Sequence, residues 1–276
     1  MRYSLQMKQV PEREVGTMTR CMILMMTSGM LLCAMPLGAP AAESERVPTS
    51  SLRMADSLFR ACRWEQERTV LLEARTRHPR NAELLWRLAN SWINEGDALV
   101  GSKAEACYKR AIACAEEAIA AEPASANAHA LHAAALGSLA MFAGGREKVR
   151  LTHRIREALD RALLLDADNQ IAHTIYGTWH REVADVGWIE RKLANLLLGG
   201  LPDGSFEASV RHFKAAIRRD PTILRHHCEL GMTYEAMDRP DLAAASYRNA
   251  IACRDSWSTD QRRRTAMRAF LKSHGS

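Results

Sequence analysis

The sequence predicts an all-α fold built from antiparallel helix hairpins, and three observations carry that prediction. The 276 residues are rich in Ala, Leu, Glu and Arg and poor in Val, Ile and Thr, with 15 Gly and 9 Pro, a usage that favours helices over sheets. Small, large and aromatic positions recur along the chain as a repeat. Apolar stripes such as Met267, Phe270 and Leu271 follow the i, i+3, i+4 spacing of a helix face. With 47% hydrophobic residues and a net charge of +6 from 38 Lys+Arg against 32 Asp+Glu, a disordered, collagen-like or polytopic membrane chain is excluded. The length suits one elongated domain or two compact ones.

Residues 1–42 read as a signal peptide or N-terminal anchor. The run Met22–Leu37 carries no charge, follows Arg20, and leads through Gly38-Ala39-Pro40-Ala41-Ala42 to Glu43 and Glu45, the order of a secretory leader with cleavage near Ala41 or Ala42. Met18 or Met22 is an alternative start, and Leu32 before Cys33 argues against a lipoprotein. The expected location is export, either periplasmic or membrane-anchored facing the periplasm. Without residues 1–42 the chain keeps 34 basic and 30 acidic residues, a balance of +4, which is no nucleic-acid footprint. Cys62, Cys107, Cys114, Cys228 and Cys253 remain, without a Cys-x-x-Cys, so zinc ribbons and thioredoxin-like chemistry lack support. Cys228 and Cys253, on two helices of one hairpin, are the candidate disulfide; small buried side chains are the alternative.

Residues 52–80 are expected to form N-terminal capping helices, with Leu52–His78 amphipathic, and residues 81–257 to hold four repeats with insertions. The clearest unit follows Pro221: Leu230, Gly231 and Tyr234 precede Ala243, Tyr247 and Ala250, the tetratricopeptide order of small and aromatic positions on two helices. Gly231 and Ala243 let the helices approach, Tyr234 and Tyr247 fill space, and Arg239-Pro240-Asp241 makes the turn. Reading back, the Gly231 position recurs at Gly177, Ala133 and Ala89, at spacings of 54, 44 and 44 residues against about 34 for a plain repeat. The second helices close at Ala111 and Ala118, Leu159 and Ala162, and Phe213 and Ala216. Residues 258–276 supply a C-terminal capping helix, Thr259–Lys272, and tail. The fold class is therefore a tetratricopeptide-like right-handed superhelix of antiparallel helix hairpins with an inserted amphipathic helix.

That insertion spans Val186 to Gly204. Ile189, Leu193, Leu196 and Leu197 form one stripe, with Glu190, Arg191, Lys192 and Asn195 opposite, and a Gly-rich stretch ends the helix. It is expected to pack on the core at least, and more specifically to act as a lid over an apolar channel; a surface-seeking helix with Trp188 at its edge is the other option. Trp86, Trp92, Tyr176 and Trp179 then become groove candidates.

Three blocks extend the pattern beyond a generic repeat: Ala55-Asp56-Ser57-Leu58-Phe59, Ala82–Ala89, and Tyr176-Gly177-Thr178-Trp179 leading into Gly187–Ala194. In order and spacing they resemble the regulator of microtubule dynamics family over roughly residues 52–255, most specifically in the helix with Trp188, Arg191 and Lys192. The resemblance implies a non-enzymatic helical repeat domain. Animal members are associated with microtubules and the spindle, and a membrane-tethered member binds phospholipid within its repeats. The export signal departs from those members and suggests a bacterial protein, for which a microtubule is a partner only if the family role is retained.

Catalytic motifs are missing. His129 with His132, His173 with His180, and His226-His227 lack a third ligand for zinc, so surface or groove histidines and no metal are expected. Gly96–Lys103 has Ser102 and Lys103 in the wrong order for a phosphate loop, and no hydrolase, metalloprotease or dinucleotide signature occurs. No cofactor is implied. Arg218-Arg219, Arg225 and Arg262-Arg263-Arg264 with Arg268 form basic clusters that attract acidic surfaces or headgroups, or are solvated faces. Two functions follow: an interaction scaffold taking a protein or peptide in the concave groove, or a carrier of phospholipid or fatty acid in a dry tunnel of several hundred cubic ångströms.

Overall fold

Side-chain oxygens placed three residues before the first free amides start several helices. Asn81 Oδ1 accepts from Leu84 N at 3.0 Å, Asn169 Oδ1 from Ala172 N at 2.9 Å, and Ser205 Oγ from Ala208 N at 3.0 Å. Pro240 opens another helix at its first position, where the missing N–H costs nothing.

The computed structural model describes residues 49–255 and 257–274; the leader expected over residues 1–42 lies outside the described residues. The helices are α1 (Thr49–Arg60), α2 (Trp64–Arg77), α3 (Ala82–Ala98), α4 (Gly101–Ala121), α5 (Ala126–Ala140) and α6 (Gly145–Leu165). They continue with α7 (Gln170–Ala184), α8 (Trp188–Leu197), α9 (Phe206–Arg219), α10 (Leu224–Ala236), α11 (Pro240–Ala252) and α12 (Asp260–His274). The fold is an all-α tetratricopeptide-like solenoid. Hairpins form between α1 and α2, α3 and α4, α5 and α6, α7 and α9, and α10 and α11, with α12 laid on α11 and α10. The first helices α3, α5, α7 and α10 also touch one another in series and form the inner layer.

The small residues sit where helices come closest. Ala89 and Ala133 are fully buried, and a methyl group at Gly177 or Gly231 would lie 2.8 Å from Phe213 Cζ or 2.4 Å from Tyr247 Cε1. Gly96 is a further such site: its missing Cβ leaves room for the Tyr108 ring, whose hydroxyl donates to Asp97 Oδ1 at 2.9 Å. The two 44-residue spacings come from the second helices, since α4 and α6 have 21 residues each and α11 has 13, whereas the 54-residue spacing comes from the stretch holding α8 between α7 and α9. At the C-terminal end, Met267 is buried and Phe270 meets Tyr247 edge-on at 5.2 Å between ring centres.

The candidate disulfide is not formed. Cys228 and Cys253 are both free thiols; the buried Cys228 sulfur faces Arg263, while the Cys253 sulfur sits on the carbonyls of Asn249 and Pro221.

Candidate functional site

The inner layer is occupied by the chain itself. Past α11 the backbone turns inward, so that Trp257 Nε1 donates to Asp97 Oδ2 at 3.0 Å, a contact between residues 160 apart. Ser258 N donates to Asn94 Oδ1 at 2.9 Å, and its hydroxyl donates to the Asn94 carbonyl at 2.8 Å. The Trp257 ring lies 6.1 Å from Phe59, edge-on, beneath Arg225 at 5.0 Å. Asp260 Oδ2 accepts from Trp257 N at 2.9 Å and holds the turn into α12. Residues 257–260 thus form a strap across the interior, held by Asn94 through a main-chain amide and by Asp97 through an indole.

Beside the strap, one carboxylate ties three helices together. Glu229 of α10 receives Arg181 of α7 at 2.8 Å and Arg263 of α12 at 2.7 Å, with Arg225 at 3.9 Å. Arg181 also donates to the Glu229 carbonyl at 3.1 Å. Burial alone would raise the Glu229 carboxyl, but Arg263, Arg181 and Arg225 hold it well below the usual carboxylate range. Arg263 and Arg264 were expected on a basic surface. Instead Arg263 serves Glu229, and Arg264 binds Asp255 at 2.7 Å and the Ile251 carbonyl. Arg218 and Arg219 remain exposed.

Surface or groove positions were expected for the histidines, and two of those named are buried instead. His226 and His227 are buried; the Thr174 hydroxyl lies 2.9 Å from His226 Nδ1. His180 and His212 stack with Tyr176 at 4.8 and 4.7 Å, and His212 Nδ1 meets His173 Nδ1 at 2.9 Å. Burial is the main cause that lowers the pKa of His180, His212 and His226 to about 4, aided by Arg211 and Arg156 at His180, by the neighbouring His173 and His180 at His212, and by Arg225 at His226. His180, His212 and His226 are therefore neutral packing groups at pH 7. Among the described residues no group of His, Cys, Asp and Glu is arranged to hold a metal ion.

The residues predicted to line a groove fall in three places. Trp92 is clamped between Arg68 at 4.5 Å and Arg110 at 4.8 Å, and Trp86 packs under Arg87 at 5.0 Å. Tyr176 and Trp179 are core residues: Tyr176 donates to Asp160 Oδ1 at 2.6 Å, and Trp179 Nε1 donates to the Thr152 carbonyl at 3.1 Å. Trp188, Arg191, Lys192, Leu193 and Leu196 belong to α8, which packs against α6 of the outer layer. That helix neither crosses the inner layer as a lid nor buries its stripe, and only Ala194 of its residues is buried. Depressions of about 620 Å³ beside Pro221, His227 and Cys253, and about 380 Å³ at Lys192, Asn195 and Leu196, are both open to solvent. Sequence reasoning missed Asn94, Asp97, Arg181, Glu229 and Trp257, whose partners are distant in the chain. An unassigned Trp following the last repeat helix was the available signal.

Comparison with known proteins agrees with this architecture. A tetratricopeptide-repeat protein of Thermus thermophilus superposes with a TM-score of 0.58 over 81% of this chain and 98% of that one, at 18% identity, which establishes likeness of fold. Regulator of microtubule dynamics protein 1 of Bos taurus is 26% identical over 196 residues, covering 70% of this chain and 61% of the relative. Regulator of microtubule dynamics protein 3 of the same species is 28% identical over 187 residues, 63% of this chain and 39% of the relative. The matched stretch therefore spans about three fifths or less of those relatives' length. The family profile of regulator of microtubule dynamics proteins 1-3 matches residues 51–275, nearly the whole described region. The chain belongs to the regulator of microtubule dynamics family.

Proposed function

We propose that the protein is a non-enzymatic scaffold whose inner face takes an extended peptide segment of a protein partner at Asn94, Asp97 and Arg225, in the place its own strap occupies. The observation that carries this reading is the Ser258 amide on Asn94 Oδ1 at 2.9 Å. An amide side chain that accepts from a main-chain N–H binds backbone rather than a particular sequence, while the neighbouring carboxylate and guanidinium select a ring with an N–H. No cofactor or nucleic acid enters this reading. A microtubule is a partner only if the role in the family's name is retained. The charge-free run Met22–Leu37 supports export, with the repeats periplasmic or anchored facing the periplasm, and N-terminal sequencing of the cellular protein tests it.

A synthetic peptide of residues 253–262 tests the groove. Trp257→Ala frees the inner face, so the peptide should bind that variant at least tenfold more tightly than wild type by calorimetry. Adding Asn94→Ala should remove the gain. Equal or absent binding to all three proteins would sink the reading.

A further inference from the structure

On a helix of 3.6 residues per turn, Arg191, Ala194 and Leu198 share one side and Ile189, Leu193 and Leu196 the opposite side. In α8 the first side is packed. Ala194 is buried, Arg191 donates to the Val183 carbonyl, and Leu198 Cδ1 lies 3.7 Å from the place of a Cβ on Gly145, at the start of α6. His153 of α6 completes the attachment at 3.1 Å from the Gly200 carbonyl. The apolar side faces solvent: Leu196 is 80% exposed, Trp188 69%, Ile189 and Leu197 62%, and Leu193 50%. A repeat helix ordinarily buries its apolar stripe, so α8 is mounted the other way round.

The border toward α6 is basic, while α8 itself also exposes Glu190. Lys192 Nζ sits 4.1 Å over the Trp188 ring, and the adjoining first turns of α6 expose Arg146, Lys148 and Arg150, with Arg150 paired to Glu147 at 2.6 Å. The turn before α6 adds exposed Met141 and Phe142. We propose that α8 docks the protein on an anionic lipid bilayer, lying in the plane of the surface. Leu193, Leu196 and Ile189 enter the acyl boundary, and Lys192 with the start of α6 meets the headgroups. A Trp and a Lys at the rim of an aliphatic stripe suit that boundary, where ring and ammonium reach the polar layer while the stem stays apolar. The positive rim complements anionic headgroups. A second copy fits less well, because 10 residues make a helix about 15 Å long, and two such ridges fall short of the roughly 1,200 Å² that a stable interface takes.

Hydrogen–deuterium exchange of the full chain, read in the peptide 186–198, tests this with vesicles of phosphatidylcholine containing about one third phosphatidylglycerol and with pure phosphatidylcholine. The readout is local, so a membrane contact made by the N-terminal run does not mimic it. Exchange should slow at least fivefold on the anionic vesicles only, and Leu193→Asp/Leu196→Asp should abolish the slowing. Unchanged exchange, equal slowing on neutral vesicles, or slowing without vesicles as protein concentration rises would overturn the proposal, the last in favour of self-association.

Discussion

Arg181 and Glu229, 48 residues apart, meet at 2.8 Å with side chains only 8% and 5% exposed, and this ion pair joins the fourth hairpin to the fifth. Because Arg263 shares the same carboxylate, α12 is tied into the contact as well. Removing the acid leaves buried guanidinium groups uncompensated. Glu229→Ala should cost about 3–5 kcal/mol in urea unfolding. The carboxyl is held below its ordinary value of 4.5, so its contribution is complete above that pH and lost as pH falls below it. The variant's stability should change less with pH in that acid range than wild type's.

His226 gives a second pH dependence in a higher window. Its ring is buried and its pKa lowered from 6.5 to about 4, by burial first and then by Arg225. Between those values the unfolded chain binds a proton that the folded chain does not, so stability declines as pH drops from 6.5 towards 4. The loss attributable to this residue is about 3 kcal/mol at most. His226→Gln keeps a polar partner for Thr174 and should make the stability profile less steep there, with His180 and His212 still contributing in the same window, measured by urea titration at half-unit pH steps. A variant profile parallel to wild type would show that His226 does not govern it.

The contact between Gly231 and Tyr247 makes the closeness of the last hairpin measurable. A Cβ at position 231 would lie 2.4 Å from Tyr247 Cε1 and 2.6 Å from Cδ1. The ring has little freedom, since its hydroxyl donates to Glu235 and its edge meets Phe270. Gly231→Ala should destabilise by about 1–3 kcal/mol through overpacking, despite Ala being the better helix former. Adding Tyr247→Leu should reduce the further cost of the alanine, a coupling visible in a double-mutant cycle of unfolding free energies.

What was legible in the sequence was what neighbours along the chain decide. The positions of Ala89, Ala133, Gly177 and Gly231 marked the close approaches because each lies on the helix it serves, and Phe213 and Ala216 closed α9 for the same reason. The strap was illegible: Trp257 and Asp97 are brought together only when the solenoid has curved through its whole length. The basic run at Arg263 was misread because its acid, Glu229, is on another helix. The stripe of α8 was seen but not its direction. A periodic pattern gives the face of a helix, and only tertiary packing gives the side on which that face lands.

Trp179 and Leu196 separate these two kinds of information. Both sit on apolar faces, and both were groove candidates. Trp179 is 6% exposed, packs between α5, α6 and α7, and donates its Nε1 to the Thr152 carbonyl at 3.1 Å. Trp179→Ala therefore loses a buried ring and a hydrogen bond, and should cost about 3–5 kcal/mol. Leu196 is 80% exposed, so Leu196→Ser removes no packed contact and should stay within about 0.5 kcal/mol of wild type. Urea midpoints at unchanged slope measure both. A Leu196→Ser cost approaching that of Trp179→Ala would mean that α8 is buried in solution, either as a lid on its own chain or against a second copy. A free stripe requires the two substitutions to differ by at least about 2 kcal/mol, and that difference is the condition under which α8 is available to a bilayer.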